Sequence, residues 1–474
     1  MAGKLTRREL LKRGALSGAA LAVPFIHYRY ANAAGGIDPA VVKKFGASLK
    51  GRLILPGDRE YDSARKLWNL RHDKHPAMIA RCADTDDVSR AVEFARKNAL
   101  VASVRSGGHD SAGYSSNEGG ILIDLGSMKA IQVNADRQSV SAQPGLHVHE
   151  LYDALGEHEL AAVSGACPSV GIGGLTTGGG ESWISNKYGV AADNVIGAEV
   201  VTADSKVVHA SASQNSDLFW AIRGGSGNFG VVSTFELRTF PLAKVIKGSL
   251  AFPASQCREV LRFCREFAEA APEELTLGMT YGVPGPADQV IVTVCYCGDP
   301  AKGEAVIKPL RSFAKALSDD IRVVPARLGL VDEEPPGLAN FEAGVIVPRL
   351  SDANIEFISE SVKGASPLLT VEIFRFGSAV TRGTGAFPYK FDYYEIDYAG
   401  SWREERDRAT ASRWVDQFAA AFASSSKGAY VNILGSPDQA REAFGQSYNR
   451  LAAIKKKYDP DNFFRMNQNI KPAA

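Results

Sequence analysis

Residues 165–180 (GACPSVGIGGLTTGGG) carry six glycines in their last ten positions, and no other stretch limits the fold so strongly. Glycine gives up conformational entropy in regular structure, so this density predicts neither a packed helix nor a plain strand. It predicts backbone running close to something flat or anionic, with no Cβ atoms in the way. Two shorter loops share the character. Arg105, Ser106, Gly107, Gly108, His109 and Asp110 follow an apolar run at 101–105, and the adjacent glycines let N–H groups approach an anion. Residues 224–230 (GGSGNFG) formally contain G-x-G-x-x-G. They follow a helical pattern and open an extended one, whereas a dinucleotide fingerprint does the reverse. The sequence has no P-loop. A nucleotide held outside a Rossmann frame is the expectation.

Composition narrows the function class. The 474 residues include 54 Lys+Arg and 53 Asp+Glu, a net charge of +1 that argues against nucleic acid as a partner. Mean hydropathy of −0.11 excludes a polytopic membrane protein. The six cysteines contain no C-x-x-C pair, so neither a disulfide scaffold nor a zinc ribbon is expected, and no metal site is assigned. At the N-terminus, Arg7 and Arg8 precede an uncharged run at 14–26 and small residues at 31–33. This reads as a twin-arginine signal over 1–34, with an apolar stretch shorter than the roughly 20 residues a spanning helix needs. The expectation is an exported, periplasmic or secreted protein with no stable membrane span.

Apolar spacing predicts strands near 77–82, 101–105 and 121–125, with a helix from about Thr85 between the first two. Further strands are expected near 194–203 and 230–240, flanking a short helix at 217–223. The pattern changes near 242. From there to about 425, amphipathic helices at 255–270, 303–317 and 404–422 alternate with strands, clearest at 289–297 and 369–376. The fold class is α+β. A cofactor domain at 35–242 is interrupted by a substrate domain at 243–425, an antiparallel sheet covered by helices, and is completed by 426–474. The Lys455–Lys457 run reads as a solvated helix end.

Histidine nitrogen and cysteine thiolate are the natural nucleophiles for attachment to an electron-poor flavin ring. His109 and Cys167 each sit inside a glycine loop. The chain resembles the berberine-bridge-enzyme-like branch of the vanillyl-alcohol-oxidase flavoprotein family through RSGGH (105–109), CPSVGIGGLTTGGG (167–180), KYGVAADNV (187–195), DLFWAIRGGSGNFGVV (217–232) and the tail at 448–470. That resemblance implies FAD held twice, through His109 on the 8α-methyl carbon and Cys167 on C6. It implies a cradle from Arg105, Ser106, Gly107, Gly108, Asp110, Val170, Gly171, Gly173, Gly174, Gly178, Gly179 and Val232, with Asn467 and Gln468 approaching from the tail. The implied chemistry is hydride transfer from a C–OH group of a sugar, alcohol or secondary metabolite. O2 takes up the electrons as H2O2, and Val170 resembles the residue found in oxidases of the family.

Two positions depart from the family pattern. Glu181 follows the triple glycine where members carry Phe-Gly or a similar pair; it is either a ring or substrate contact or a solvent-facing acid. Ile433 stands where the family's Y-x-N-Y motif ends in a basic tyrosine, and isoleucine accepts no proton. The strand at 391–398 offers replacements. Alternation sets Tyr393, Glu395 and Asp397 on one face and Asp392, Tyr394 and Tyr398 on the other. Tyr393, Tyr394, Glu395 and, in the first loop, Tyr114 are the candidate catalytic residues. A tyrosine base would need its pKa lowered by a nearby positive charge. Two other readings stay open: a flavin-carrying binding protein without turnover, and a dehydrogenase with a different electron acceptor. The oligomeric state is left open.

Overall fold

The computed structural model describes residues 36–282, 288–334, 337–363 and 368–474, so the leader pattern at 1–34 lies outside the described residues. The first sheet runs Arg52–Ile54, Met78–Arg81, Ile121–Asp124, Ala102–Arg105, with the last three strands parallel. Helix Thr85–Lys97 covers it by burying Val88, Ala91, Val92 and Ala95, a spacing of three and four that gives one apolar stripe. Its cap is Asp84, which accepts a hydrogen bond from Asp87 N; Thr85 instead donates to Glu199 at 2.6 Å. The second sheet is antiparallel, in the order Ile131–Val133, Ser139–Ala142, Val231–Arg238, Val195–Val201, Val207–Ser211.

The inserted region forms an eight-stranded antiparallel sheet in which Ala339–Val347, Tyr393–Trp402, Leu369–Phe376 and Leu275–Tyr281 lie side by side. Helices Cys257–Ala270, Asp352–Ser361 and Arg408–Phe422 pack on one face, where Val260, Ile355 and Phe418 meet Met279, Ile373 and Ile396. Period-two alternation therefore turns Glu372, Glu395 and Asp397 to the opposite face, toward the first two sheets. Cys257, Cys264, Cys295 and Cys297 are free and buried.

The structure overturns two expectations. Within the glycine run, Ile172–Gly178 is an α-helix. The glycines serve close approach there: a Cβ on Gly173 would lie 3.0 Å from Pro144, and one on Gly178 would lie 1.9 Å from Asn432 Oδ1. Left-handed backbone comes only afterwards, at Gly179 and Gly180 (φ 148° and 81°), which end the helix. Lys455, in turn, is not solvated. Tyr448, Leu451, Ala452 and Lys455 recur at helical spacing and form the buried face of helix Tyr448–Tyr458. The Lys455 ammonium donates to Asp459 Oδ2, Asn228 O and Phe464 O, each at 2.7 Å. It thereby pins the C-terminal tail to the 224–230 loop.

Candidate functional site

A cleft of about 410 Å³ lies between the two small sheets, the C-terminal tail and the inserted sheet. Ser106, Gly107, Gly108, His109 and Asp110 line one side and Cys167, Val170, Gly171, Gly173 and Gly174 another; Val232, Asn467 and Gln468 complete it, with Tyr114 at its edge. The glycine pairs are required sterically. A Cβ on Gly107 would come within 2.2 Å of Gly171 N, and one on Gly171 within 2.1 Å of Gly107 N. The two loops thus run backbone against backbone, and this brings His109 beside Cys167. Their side-chain donor atoms, with a carboxylate oxygen of Glu334, all lie within 4.8 Å of one another.

Three members of the expected cradle do other work. Arg105 points away from the cleft: its buried guanidinium holds Asp124 at 2.9 Å and donates to Lys66 O, since a cation this deep needs a partner. Gly178 packs against Asn432, and Gly179 against Phe387 and Tyr430. The tail glutamine contributes a tether, accepting from Gln439 N and donating to Ser436 O, while the buried Asn467 Oδ1 has no partner among the described residues.

Burial drives the His109 imidazole down to about 4, against the pull of the Glu334 carboxylate, so it is neutral at physiological pH. Trp68 stacks on it with ring centroids 5.0 Å apart. Burial, and then Glu334, push the Cys167 thiol up, which keeps it protonated. Glu334 carried no signal in the sequence, because it sits in an irregular stretch without motif or periodicity.

The candidate bases separate as alternation required. Tyr393 and Glu395 face the cleft side, and the Tyr393 hydroxyl donates to Glu181 Oε1. Tyr394 does not belong to the site: its hydroxyl bonds to Arg265 O at 3.3 Å, among the covering helices. Among the described residues no cation acts on Tyr393 to lower it. Burial and the Glu181 and Glu395 charges raise it well above the ordinary value, so it acts as a donor rather than a base. Tyr430 is likewise structural, accepting from Gly180 N and Asn432 Nδ2 at 2.7 Å each. Glu181 lines the cleft, and so does Ile433.

Behind Glu181 stands a row of acids. Among the described residues no amide, amine or hydroxyl group pairs with the buried Glu395 Oε1 or Asp397 Oδ1. Their neighbours are carboxyls: Glu181 is hydrogen-bonded to Glu395 and Glu395 to Asp397, and each such bond needs a shared proton. Glu372 lies directly across the sheet from Asp397. Burial raises all of them, most clearly Glu395 and Asp397, and carries Glu372 to about 7 with help from Asp332 and Glu342. These acids hold protons in the fold that the unfolded chain releases near pH 4–5, so their contribution is greatest below that range and is lost as pH rises through 7 and beyond. Asp397→Asn should therefore raise the thermal midpoint at pH 8 and change it little at pH 5. An equal shift at both values would defeat this account.

Comparison with known proteins agrees with this geometry. Residues 76–211 match the family described as FAD binding domain, and 429–471 the family described as Berberine and berberine like. The chain is 31% identical to (R)-6-hydroxynicotine oxidase of Paenarthrobacter nicotinovorans, over 90% of this chain and 97% of that protein. It is 30% identical to chitooligosaccharide oxidase of Gibberella zeae, over 88% and 92%. The crystal structure of 6-hydroxy-D-nicotine oxidase from Arthrobacter nicotinovorans superposes with a TM-score of 0.83 at 28% identity, covering 90% of this chain and 99% of that one. From the interlocked glycine loops, the tail that closes over them and these relatives alike, the chain belongs to the berberine-bridge-enzyme-like FAD-linked oxidoreductases of the vanillyl-alcohol-oxidase flavoprotein family.

Proposed function

We propose that this oxidoreductase binds FAD covalently at both His109 and Cys167, oxidises a C–OH group of a sugar or other small alcohol, and passes the electrons to O2 with release of H2O2. The observation that carries the reading is the approach of the His109 and Cys167 donor atoms to within 4.8 Å on the wall of one cleft. The surrounding residues suit the cofactor. Gly174 leaves open space where a side chain would stand, and Asn467 offers an unpaired buried oxygen to a ligand N–H. Bound FAD supplies the hydride acceptor and the path to oxygen. Two relatives named for a hydroxynicotine and a chitooligosaccharide make a small organic substrate the natural expectation.

The chain's own part is proton handling and enclosure. Glu181 takes the substrate hydroxyl proton: it lines the cleft and is backed by two donors, Tyr393 and protonated Glu395. A carboxylate whose pKa is raised by burial is a stronger base than an exposed one. Its two donors hold it in place, and Ile433 and Val431 keep that end of the cleft apolar. The export expected from residues 1–34 would set this chemistry outside the cytoplasm.

Acid precipitation should leave flavin absorbance with the polypeptide, and His109→Ala/Cys167→Ala should release it to the supernatant. Retention in the double variant defeats the attachment. A panel of carbohydrates and aromatic alcohols should yield peroxide; flavin that no alcohol bleaches would favour a binding protein. Flavin reduced by substrate and persisting for minutes in air would favour a dehydrogenase.

A further inference from the structure

We infer that Glu334, reaching in from the inserted domain, is the proton acceptor for flavin attachment, drawing the imidazole proton of His109 through Ser169. The inference rests on the attachment proposed above and goes beyond it by assigning a residue to the step that makes the bond.

The geometry is a relay with one consistent proton assignment. Ser169 Oγ donates to Glu334 Oε1 at 2.6 Å, and the Ser169 backbone N–H donates to Glu334 Oε2 at 3.1 Å. The hydroxyl has a single proton, and it is committed to the carboxylate. Ser169 Oγ also lies 2.6 Å from His109 Nε2, so it must accept there, and Nε2 carries the hydrogen. The other ring nitrogen, Nδ1, is left with its lone pair free to attack. Glu334 Oε1 is itself 3.6 Å from Nε2, and the Cys167 thiol falls within the same 4.8 Å cluster.

The stretch that carries the carboxylate is fastened to both the glycine loop and the inserted sheet. Asp332, two residues earlier, donates its N–H to Ala166 O at 2.9 Å, while its carboxylate takes Lys247 Nζ and Trp183 Nε1 at 2.8 Å each. The inserted domain thus clamps this stretch against the residue beside Cys167. A neutral, buried imidazole gains positive charge as Nδ1 forms its bond. Without an acceptor that charge would build up in a poorly solvated site.

The step balances as follows. At His109, a C–H bond of the 8α-methyl and the Nε2–H bond break, and the Nδ1–C8α bond forms. The Nε2 proton passes to Ser169 Oγ as the Ser169 proton moves to Glu334. The two electrons left on the ring system reduce it, and O2 then removes them, leaving as H2O2 with both protons. At Cys167 the S–H and C6–H bonds break and an S–C6 bond forms; the thiol proton goes first to Glu334, and a second O2 takes the two electrons and both protons as H2O2. Because it acts on the ring through Ser169, Glu334 is a positioning residue for the His109 bond.

The test uses the full chain supplied with FAD, following the covalent adduct by intact mass and total flavin by absorbance. Glu334→Gln and Ser169→Ala should bind FAD yet form the His109 adduct about tenfold more slowly or worse. Glu334→Asp should recover part of the rate, and added formate should accelerate adduct formation in Glu334→Ala; a residue that merely packs would respond to neither. Attachment at the wild-type rate in Glu334→Gln overturns the proposal. Should that variant fail to take up FAD, wild-type attachment in Ser169→Ala overturns it equally. Peptide mapping separates this from the reading beneath it: a wild-type chain with no flavin on His109 defeats the attachment, whereas flavin on His109 at an undiminished rate in the variants defeats only the role of Glu334.

Discussion

Glu181→Gln is expected to lower the rate of flavin reduction by about 10²–10⁴-fold while FAD content stays unchanged, the loss usual when a positioned proton acceptor is removed. The amide keeps the shape of the side chain and its acceptor oxygen for Tyr393, so what disappears is the capacity to take a proton. The direction of the pH dependence is fixed by the raised carboxyl. In the wild type the rate should fall as pH drops through a value above the ordinary glutamate range, because protonated Glu181 accepts nothing. Tyr393→Phe removes a donor that stabilises the charged form, so it should move that midpoint upward with a much smaller loss at pH 9. Stopped-flow reduction by the substrate that the peroxide screen identifies reads all three. Glu181→Gln reacting within threefold of the wild type would return the role to Glu395.

Lys455→Met is expected to destabilise the fold by about 3–5 kcal/mol, among the largest effects any single exchange should have here. Lys455 and Asp459 are both fully buried, and Asp459 also accepts from Phe463 N and Phe464 N. Removing the ammonium leaves an anion without its counter-charge, takes the Lys455 donor from Asn228 O and leaves Phe464 O only the 3.4 Å bond from Asn467 Nδ2. Phe464 and Asn467 line the cleft a few residues on, so the loss should appear both as a lower thermal midpoint and as weaker flavin retention. Lys455→Met with Asp459→Leu should recover much of the stability, since the buried anion goes too. A single variant that melts with the wild type would show that the pair does not hold the tail.

How much of this was legible depended on whether a residue announced itself locally. His109 and Cys167 did, because each lies in a glycine loop whose spacing is itself a constraint, and the two loops need one another's glycines to close. The split of strand Tyr393–Trp402 into two faces followed from period two, and it separates Tyr393 from Tyr394 correctly. Alternation gives no electrostatics, however. The expectation of a tyrosine base presumed a nearby cation, and the sheet face instead gathers acids from three strands and the 181 turn. Glycine density misleads too: it predicts no helix, yet Ile172–Gly178 is one, with Gly173 and Gly178 placed where a side chain would crowd Pro144 and Asn432. Lys455 was readable and was missed, since counting from Tyr448 places it on the inner face. Glu334 was not readable at all. Its neighbours in space are remote in sequence, and only tertiary structure brings them together.

The pin at Lys455 has a consequence for biosynthesis. The walls that the FAD domain gives the cleft are translated in two instalments, residues 68–232 and 430–468, separated by the entire inserted sheet. An emerging chain on the ribosome can collapse its early sheets, but it has nothing to close over a captured prosthetic group until residues 430–468 emerge. Loading must therefore wait for that second instalment, and a polypeptide cut short before it would leave the ribosome colourless.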